Sequence, residues 1–522
     1  NLKIGQGGTL AALAASTVTI GSGGSLAVES GGTLDAGTFA LAVSGDVVLA
    51  GGSRFKADDV VSGGNLQATK ITAKSGEVTL ELAKGKFTDN DVILVATSSG
   101  DLDTTTDNLR SLFYDLDILN DSVIIKSATD NGGALAKVGA AAGIDGPTQN
   151  YTNAMALLAR IAKNGPAALD AKLGEALEAI DAIESGELTE VAIKQLIGES
   201  VVNVPSAVTN LALKAQGVIY GRLDRIREAN SLIPPAAGEG SGLNRVWVGG
   251  FGLFADTDNW NGIYGYEYTS GGLAIGYDRQ FDGVPGLRLG VSAALSSGQL
   301  KNNDGLTSVD IKTFGIGAYG SYQLSNGLFF DATVAYGLAD NDSTVRWALG
   351  GQKTGNFDIS SWQFGLRTGA ALVYNNIQFI PSVGARFLFF ENAAWSETLT
   401  GAPVGAVANS FAKTRDSQVD IPVSLKINTT IETSSSASVV PELRLGWTYA
   451  AKRPDNVLKV GFVGTNDTAN IYGVQAKRST FQVGAGIKVK TSSLVDIYAN
   501  YDLDTANGYK AHNVSLGLGF EF

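Results

Sequence analysis

The sequence predicts a mainly β chain: a 12-stranded antiparallel transmembrane β-barrel, preceded by a pore-spanning α-helix, a helical linker and the C-terminal end of a β-solenoid (β-helix). Three observations predict it. Residues 244–522 alternate apolar and polar side chains almost throughout, in about twelve segments. Residues 206–229 carry a helical pattern directly before the first of these segments. Residues 1–135 repeat short valine- and threonine-rich runs between glycine pairs.

The solenoid comes first in the chain. It reads "GQGGTL", "GSGGSL" and "ESGGTL", with runs such as "STVTI" between. Short strands parted by Gly-Gly turns at near-regular spacing suggest stacked rungs, since no rung buries its apolar face alone. A small sandwich of short strands is the other reading. Residues 77–128 look like an ordinary strand cap closing the stack. The chain starts inside this pattern and shows no signal peptide at Asn1, so we expect a processed or truncated product.

From about 148 the period changes to that of a helix. Leu173, Leu177, Ile180 and Ile183 recur at helical spacing, with Glu175, Glu178 and Asp181 on the other side. These residues belong to a helical linker, 136–205. Ser206 is a candidate N-cap after the Pro205 break, opening a pore helix and loop over 206–243. Arg222, Arg225 and Arg227 gather near its C-terminal end, where cations suit the helix dipole. About 24 helical residues span roughly 36 Å, more than the hydrocarbon core of a bilayer.

The barrel, 244–522, follows from period and length. Phe330, Ala332, Val334, Tyr336 and Leu338 share one face, against Asp331 and Thr333 on the other. Val495, Ile497, Ala499, Tyr501 and Leu503 oppose Asp496, Asn500, Asp502 and Asp504. Segments of ten to eighteen residues exceed ordinary soluble strands. Opposite charges on the polar faces, such as Glu442 with Arg444, suit a wet lumen. Recurring aromatics near segment ends (Trp260, Tyr264, Tyr266, Tyr322, Trp362, Trp395, Trp447, Tyr449, Phe520, Phe522) suit interfacial girdles. Twelve strands enclose a pore about one helix wide. We expect Arg222, Arg225 and Arg227 to meet lumenal carboxylates there, such as Asp310, Asp331 or Asp496; a solvated helix end is the alternative. The final segment "NVSLGLGFEF" puts Val514, Leu516, Leu518, Phe520 and Phe522 on one face, as a closing strand paired with "NRVWVGGFGLF".

Composition narrows the function. There is no cysteine, hence no disulfide framework or thiolate site. The single histidine, His512, leaves no Ser-His-Asp triad in the visible solenoid and no histidine-based zinc site. No glycine-rich run continues into the Gly-Lys-Ser/Thr of a phosphate loop. Paired carboxylates at Asp58 and Asp59, or Asp101 and Asp103, read as solvated loops before they read as glycan-cleaving pairs. A net charge of −12 argues against nucleic acid as a partner. No enzyme and no cofactor are expected.

The order of solenoid, helix, twelve-strand barrel and terminal Phe resembles the monomeric autotransporters of Gram-negative bacteria (type V secretion). "GGLAIGYDRQFDGVPGLRLGVSAALSSG" looks like the family's second and third strands, with a Gly-x-x-x-Gly-x-Asp core. "QLIGES" at 195–200 is similar to the segment before the family's pore helix, and "FEF" resembles a C-terminal assembly signal. The resemblance covers roughly 190–522; for the solenoid it is architectural only. It implies an outer-membrane anchor and translocation unit, acting as a monomer, that displays an N-terminal passenger on the cell surface. The passenger's task would be adhesion or surface structure, with an unknown ligand. Implied partners are outer-membrane lipid, the barrel assembly machinery through the C-terminal strand, and periplasmic chaperones. Some members cut themselves at an Asn-Asn pair in the helix. The corresponding position here is near Gly217–Tyr220, which has no such pair. A plugged outer-membrane porin or channel is the alternative function.

Overall fold

The computed structural model describes residues 2–12, 16–20, 23–73, 76–98, 100–142, 148–183, 185–230, 244–281, 283–401, 403–434, 437–490 and 495–521. It divides into two compact units, one of residues 1–146 with 154–190, the other of 147–153 with 191–522.

In the first unit two parallel sheets carry the solenoid. One runs through Leu2–Ile4, Ser25–Val28, Leu41–Leu49, Leu66–Ala73 and Val92–Ala96; the other through Thr9–Ala11, Thr33–Gly37, Arg54–Ala57, Val78–Leu82 and Leu109–Arg110. Register turns the repeat into columns. Leu34 stacks on Phe55 and Phe55 on Leu80; in the other sheet Leu26 stacks on Val47 and Val47 on Ile71. All six are buried, which supplies the core that no single rung has. Parallel rungs persist to Arg110, further than the sequence suggested. Only the antiparallel hairpin Tyr114–Leu119 and Ser122–Ala128 forms the cap.

Three helices follow or flank this cap: α1 (Asn131–Ala141), α2 (Gln149–Asn164, whose first turn belongs to the second unit) and α3 (Ala167–Asp181). Asp130 caps α1 by accepting from the Gly133 amide at 2.8 Å. Leu173, Leu177 and Ile180 are fully buried on α3, as their spacing requires. Arg110 donates to Asp181 at 2.7 Å, tying the last rung to α3.

The second unit contains α4, which starts in the first unit (Gly186–Leu196), α5 (Val204–Asn230) and the barrel. α5 begins two residues earlier than the expected pore helix. Pro205 lies in its first turn, where a missing N–H costs nothing, and Ser206 is inside the helix rather than its cap. The expected loop after it, 231–243, lies outside the described residues. The barrel is a closed antiparallel sheet of twelve strands. We number them strand 1 (Asn244–Thr257), 2 (Tyr266–Gln280), 3 (Leu287–Asn302), 4 (Thr307–Gln323), 5 (Leu328–Arg346), 6 (Gln352–Ala370), 7 (Ile377–Asn392), 8 (Thr414–Thr429), 9 (Ala437–Lys452), 10 (Ser479–Lys490), 11 (Val495–Ala506) and 12 (Tyr509–Glu521). Strand 12 closes the sheet on strand 1, from Thr257↔Tyr509 to Arg245↔Glu521.

Outward side chains are apolar and exposed: Leu273, Val291, Phe314, Phe330, Leu366, Leu445 and Phe481 belong to this band, and strand 12 adds Val514, Leu516, Leu518 and Phe520. So wide a band of exposed hydrophobics is the surface that lipid covers. Phe522 lies outside the described residues. Trp362 and Trp447 stand exposed on the outer wall. Trp395, counted among the girdle aromatics, instead stacks between Phe357 (4.4 Å) and Phe411 (4.0 Å). No described helix is long and apolar enough to cross a membrane.

Candidate functional site

The lumen is occupied by α5, and sequence parity decides what it meets. Trp247 on strand 1 and Tyr319 on strand 4 face inward against Ile219 and Leu223 of the helix, with Ala274 beside them. Trp247 needs a neighbour without a side chain: a Cβ on Gly276 would stand 2.4 Å from its ring. Trp247 Nε1 donates to Tyr319 Oη at 2.7 Å, and Tyr319 Oη donates to Asp278 Oδ2 at 2.9 Å.

Asp278 is the centre of the first charged cluster. Arg222 of α5 donates to both its oxygens, Nε to Oδ2 at 2.9 Å and Nη2 to Oδ1 at 2.8 Å. Arg288 of strand 3 adds a bond at 2.6 Å. The Arg222 side chain is 1% exposed and that of Asp278 0%. A buried carboxylate needs such donors, because an unpaired one is costly to desolvate.

A second cluster alternates charge. Arg227 pairs with Asp331 of strand 5 and with Asp224 on its own helix at 2.9 Å. Arg367 of strand 6 pairs with the same two carboxylates, at 2.9 Å to Asp331 and 2.7 Å to Asp224. The Arg227 guanidinium also lies 3.7 Å from the Phe329 ring centroid. Arg225 lies 3.6 Å from the ring of Tyr498 on strand 11. Higher on the helix, Lys214 pairs with Asp504 of strand 11.

These pairings differ in detail from those expected. Arg227 meets Asp331. Arg222 meets Asp278, the aspartate of the Gly-x-x-x-Gly-x-Asp stretch, which was not among the expected lumenal carboxylates. Arg225 meets an aromatic ring. Asp496 is buried but pairs with Arg245 of strand 1, not with the helix. Asp310 is not lumenal. It lies exposed at the outside of strand 4, accepting from Gln299 at 2.8 Å. It shares parity with Phe314 and Ile316, which are exposed on the lipid side, so it cannot also face inward.

α5 is eccentric. It packs against strands 1 to 7 and leaves a cavity of about 380 Å³, lined by both charged and apolar side chains, beside strands 8 to 12. A charge ladder lines that side: Lys426 to Glu442 at 2.7 Å, Glu442 with Arg444, Arg444 to Asp502 at 2.8 Å, and Arg386 to Asp420 at 3.2 Å. Among the described residues no group of His, Cys, Asp and Glu side chains is placed to hold a metal ion.

A closed barrel with a lipid-facing apolar band and a helix ion-paired through its pore defines an outer-membrane β-barrel protein. Residues 246–502 match the family model described as the autotransporter beta-domain. The barrel is thus an autotransporter beta-domain over the matched residues, and the place of the chain is the Gram-negative outer membrane. It is 22% identical to outer membrane protein B of Rickettsia prowazekii (strain Madrid E) over 367 residues, which cover 63% of this chain and 21% of that protein. It is 26% identical to the putative uncharacterized protein YaiT of Escherichia coli (strain K12) over 204 residues, covering 39% and 19%. The chain spans about a fifth of the length of these curated relatives. Among solved structures it is similar to the translocator domain of autotransporter NalP from Neisseria meningitidis: 12% identity, TM-score 0.46, covering 62% of this chain and 99% of that one.

Proposed function

We propose that the barrel and α5 form the membrane anchor and translocation unit that secretes and displays the N-terminal solenoid on the bacterial surface. The observation that carries this reading is α5 itself. A helix ion-paired to strands 2 and 5 from inside the pore is a chain held in the channel it passed through. The displayed solenoid serves as an adhesin or structural surface element, with no enzymatic step. It stays joined to the barrel or is released by a separate protease, since Gly217–Tyr220 offers no Asn-Asn pair. Assembly proceeds by periplasmic chaperones and the barrel assembly machinery, which reads the C-terminal segment through Val514, Leu516, Leu518, Phe520 and Phe522. The unit acts as a monomer and binds no nucleic acid.

The test is protease shaving of intact cells expressing the full chain. The solenoid should be lost while the barrel fragment stays protected. A solenoid protected on intact cells and cut only after outer-membrane rupture would overturn the display reading. It would favour a plugged channel, with residues 1–230 on the periplasmic side.

A further inference from the structure

At the barrel end opposite the start of strand 1, the segment between α4 and α5 is held from several sides. A helix end leaves its last carbonyls without intrahelical partners. Those of α4 are met by the barrel. Lys353 Nζ of strand 6 donates to the Gln195 carbonyl at 2.8 Å, and Asn409 Nδ2 donates to the Leu196 carbonyl at 2.9 Å. Lys353 is fully buried and pairs with Glu397 at 3.2 Å, so a cation sits at the negative end of a helix dipole. Side chains of the segment reach outward in return. Gln195 Nε2 donates to the Arg346 carbonyl and Gln195 Oε1 accepts from the Ala348 amide, both at 2.9 Å. Asn203 bridges two connections, donating to the Tyr264 carbonyl and accepting from the Val474 amide, both at 2.8 Å.

The barrel side of this contact is itself built. Trp395–Ser396, Asn409–Ala412, Val457–Phe462 and Thr468–Tyr472 form a separate four-stranded antiparallel sheet. Gly198, with φ +75°, turns the chain against it. A Cβ there would stand 2.6 Å from Val460 Cγ1. None of these bonds involves α5's lumenal ion pairs.

We propose that this mouth of the barrel is a binding site for the chain's own Lys194–Asn203 segment, and that seating of this segment, separately from α5, shuts the mouth. The site recognises a helix terminus by its carbonyls and two amide side chains at fixed spacing. A passing extended stretch would not present the helix-end carbonyls that Lys353 and Asn409 meet, nor amide side chains at the spacing of Gln195 and Asn203. The pore therefore has two partial closures, α5 along one side of its length and this segment across its end.

The test uses the full chain with Gly198→Val, which blocks seating and leaves every α5 ion pair in place. Assembled barrel is scored by heat-modifiable electrophoretic mobility. Conductance in planar bilayers should rise severalfold over the unsubstituted chain. Residues 457–472 should become cleavable by protease added to intact cells. Unchanged conductance with an uncleaved hairpin would overturn the proposal. Lys353→Met, which removes the cation from the α4 terminus without adding bulk, gives the same two readouts if Gly198→Val does not assemble. Surface exposure of the solenoid is scored in parallel, so loss of the seal is distinguishable from failure of display.

Discussion

Asp278 has three donors and no exposure, so its neighbours respond unequally to substitution. Asp278→Asn leaves two buried guanidinium groups facing an amide and should cost about 3–5 kcal/mol of barrel stability. Arg222→Met leaves the carboxylate with Arg288 and Tyr319 and should cost less, about 1–3 kcal/mol. Thermal unfolding followed by electrophoretic mobility checks the order; an equal or reversed order would mean that Arg222 alone holds the cluster. At this scale the sequence was legible in part. The helix arginines and Asp331 stood out as charges on patterned faces. Asp278 was visible in its motif, but its partner is 56 residues away, and no local pattern encodes that pairing. Asp310 could have been excluded beforehand, because it shares parity with Phe314 and Ile316.

Elements follow the same division between local pattern and tertiary placement. Twelve barrel strands form where about twelve alternating segments were read over 244–522, since a period of two is written into the chain. The connection sheet was not seen in advance; its strands are as short as two residues, as at Trp395–Ser396, too few to show a period. α1 begins five residues before the expected helical linker, because Gly132, Gly133 and four alanines give it little apolar periodicity. Two predictions belong here. Leu516, 60% exposed near the middle of strand 12, should tolerate Ile, whereas Leu516→Arg should cost about 2–4 kcal/mol as a charge on the lipid face, read from folding yield into lipid vesicles. In the solenoid, Phe55 stacks between Leu34 and Leu80 and is fully buried. Phe55→Ala should cost about 3–5 kcal/mol and speed proteolysis of the rungs, leaving barrel mobility unchanged.

For the whole molecule, the class of architecture was legible because twelve alternating segments need an apolar solvent outside and a wet interior. What occupies the interior was guessed from adjacency, and where it lies within the pore was not legible, because eccentricity depends on which strands carry Trp247, Tyr319 and glycine at facing positions. Deleting Phe522 should reduce membrane assembly far more than it lowers the melting temperature of the barrel that does assemble. Pulse-chase mobility shift measures the first and thermal unfolding the second; normal assembly of the truncation would remove the tail from the assembly signal.

The off-centre helix also gives the barrel two mechanical halves. Strands 1 to 7 are braced from within by packed side chains and buried ion pairs. Strands 8 to 10 face the cavity and rely mainly on their own ladder bonds and on the salt ladder from Lys426 to Asp502, while strand 11 is held to α5 only by Lys214–Asp504 and by Arg225 on Tyr498 among the contacts described. The wall is therefore stiff along one arc and compliant along the other. Amide hydrogen exchange in strands 8 to 10 should be faster than in strands 2 to 5, and lateral pressure from the bilayer should deform the ring into an ellipse whose soft arc is the one α5 supports least.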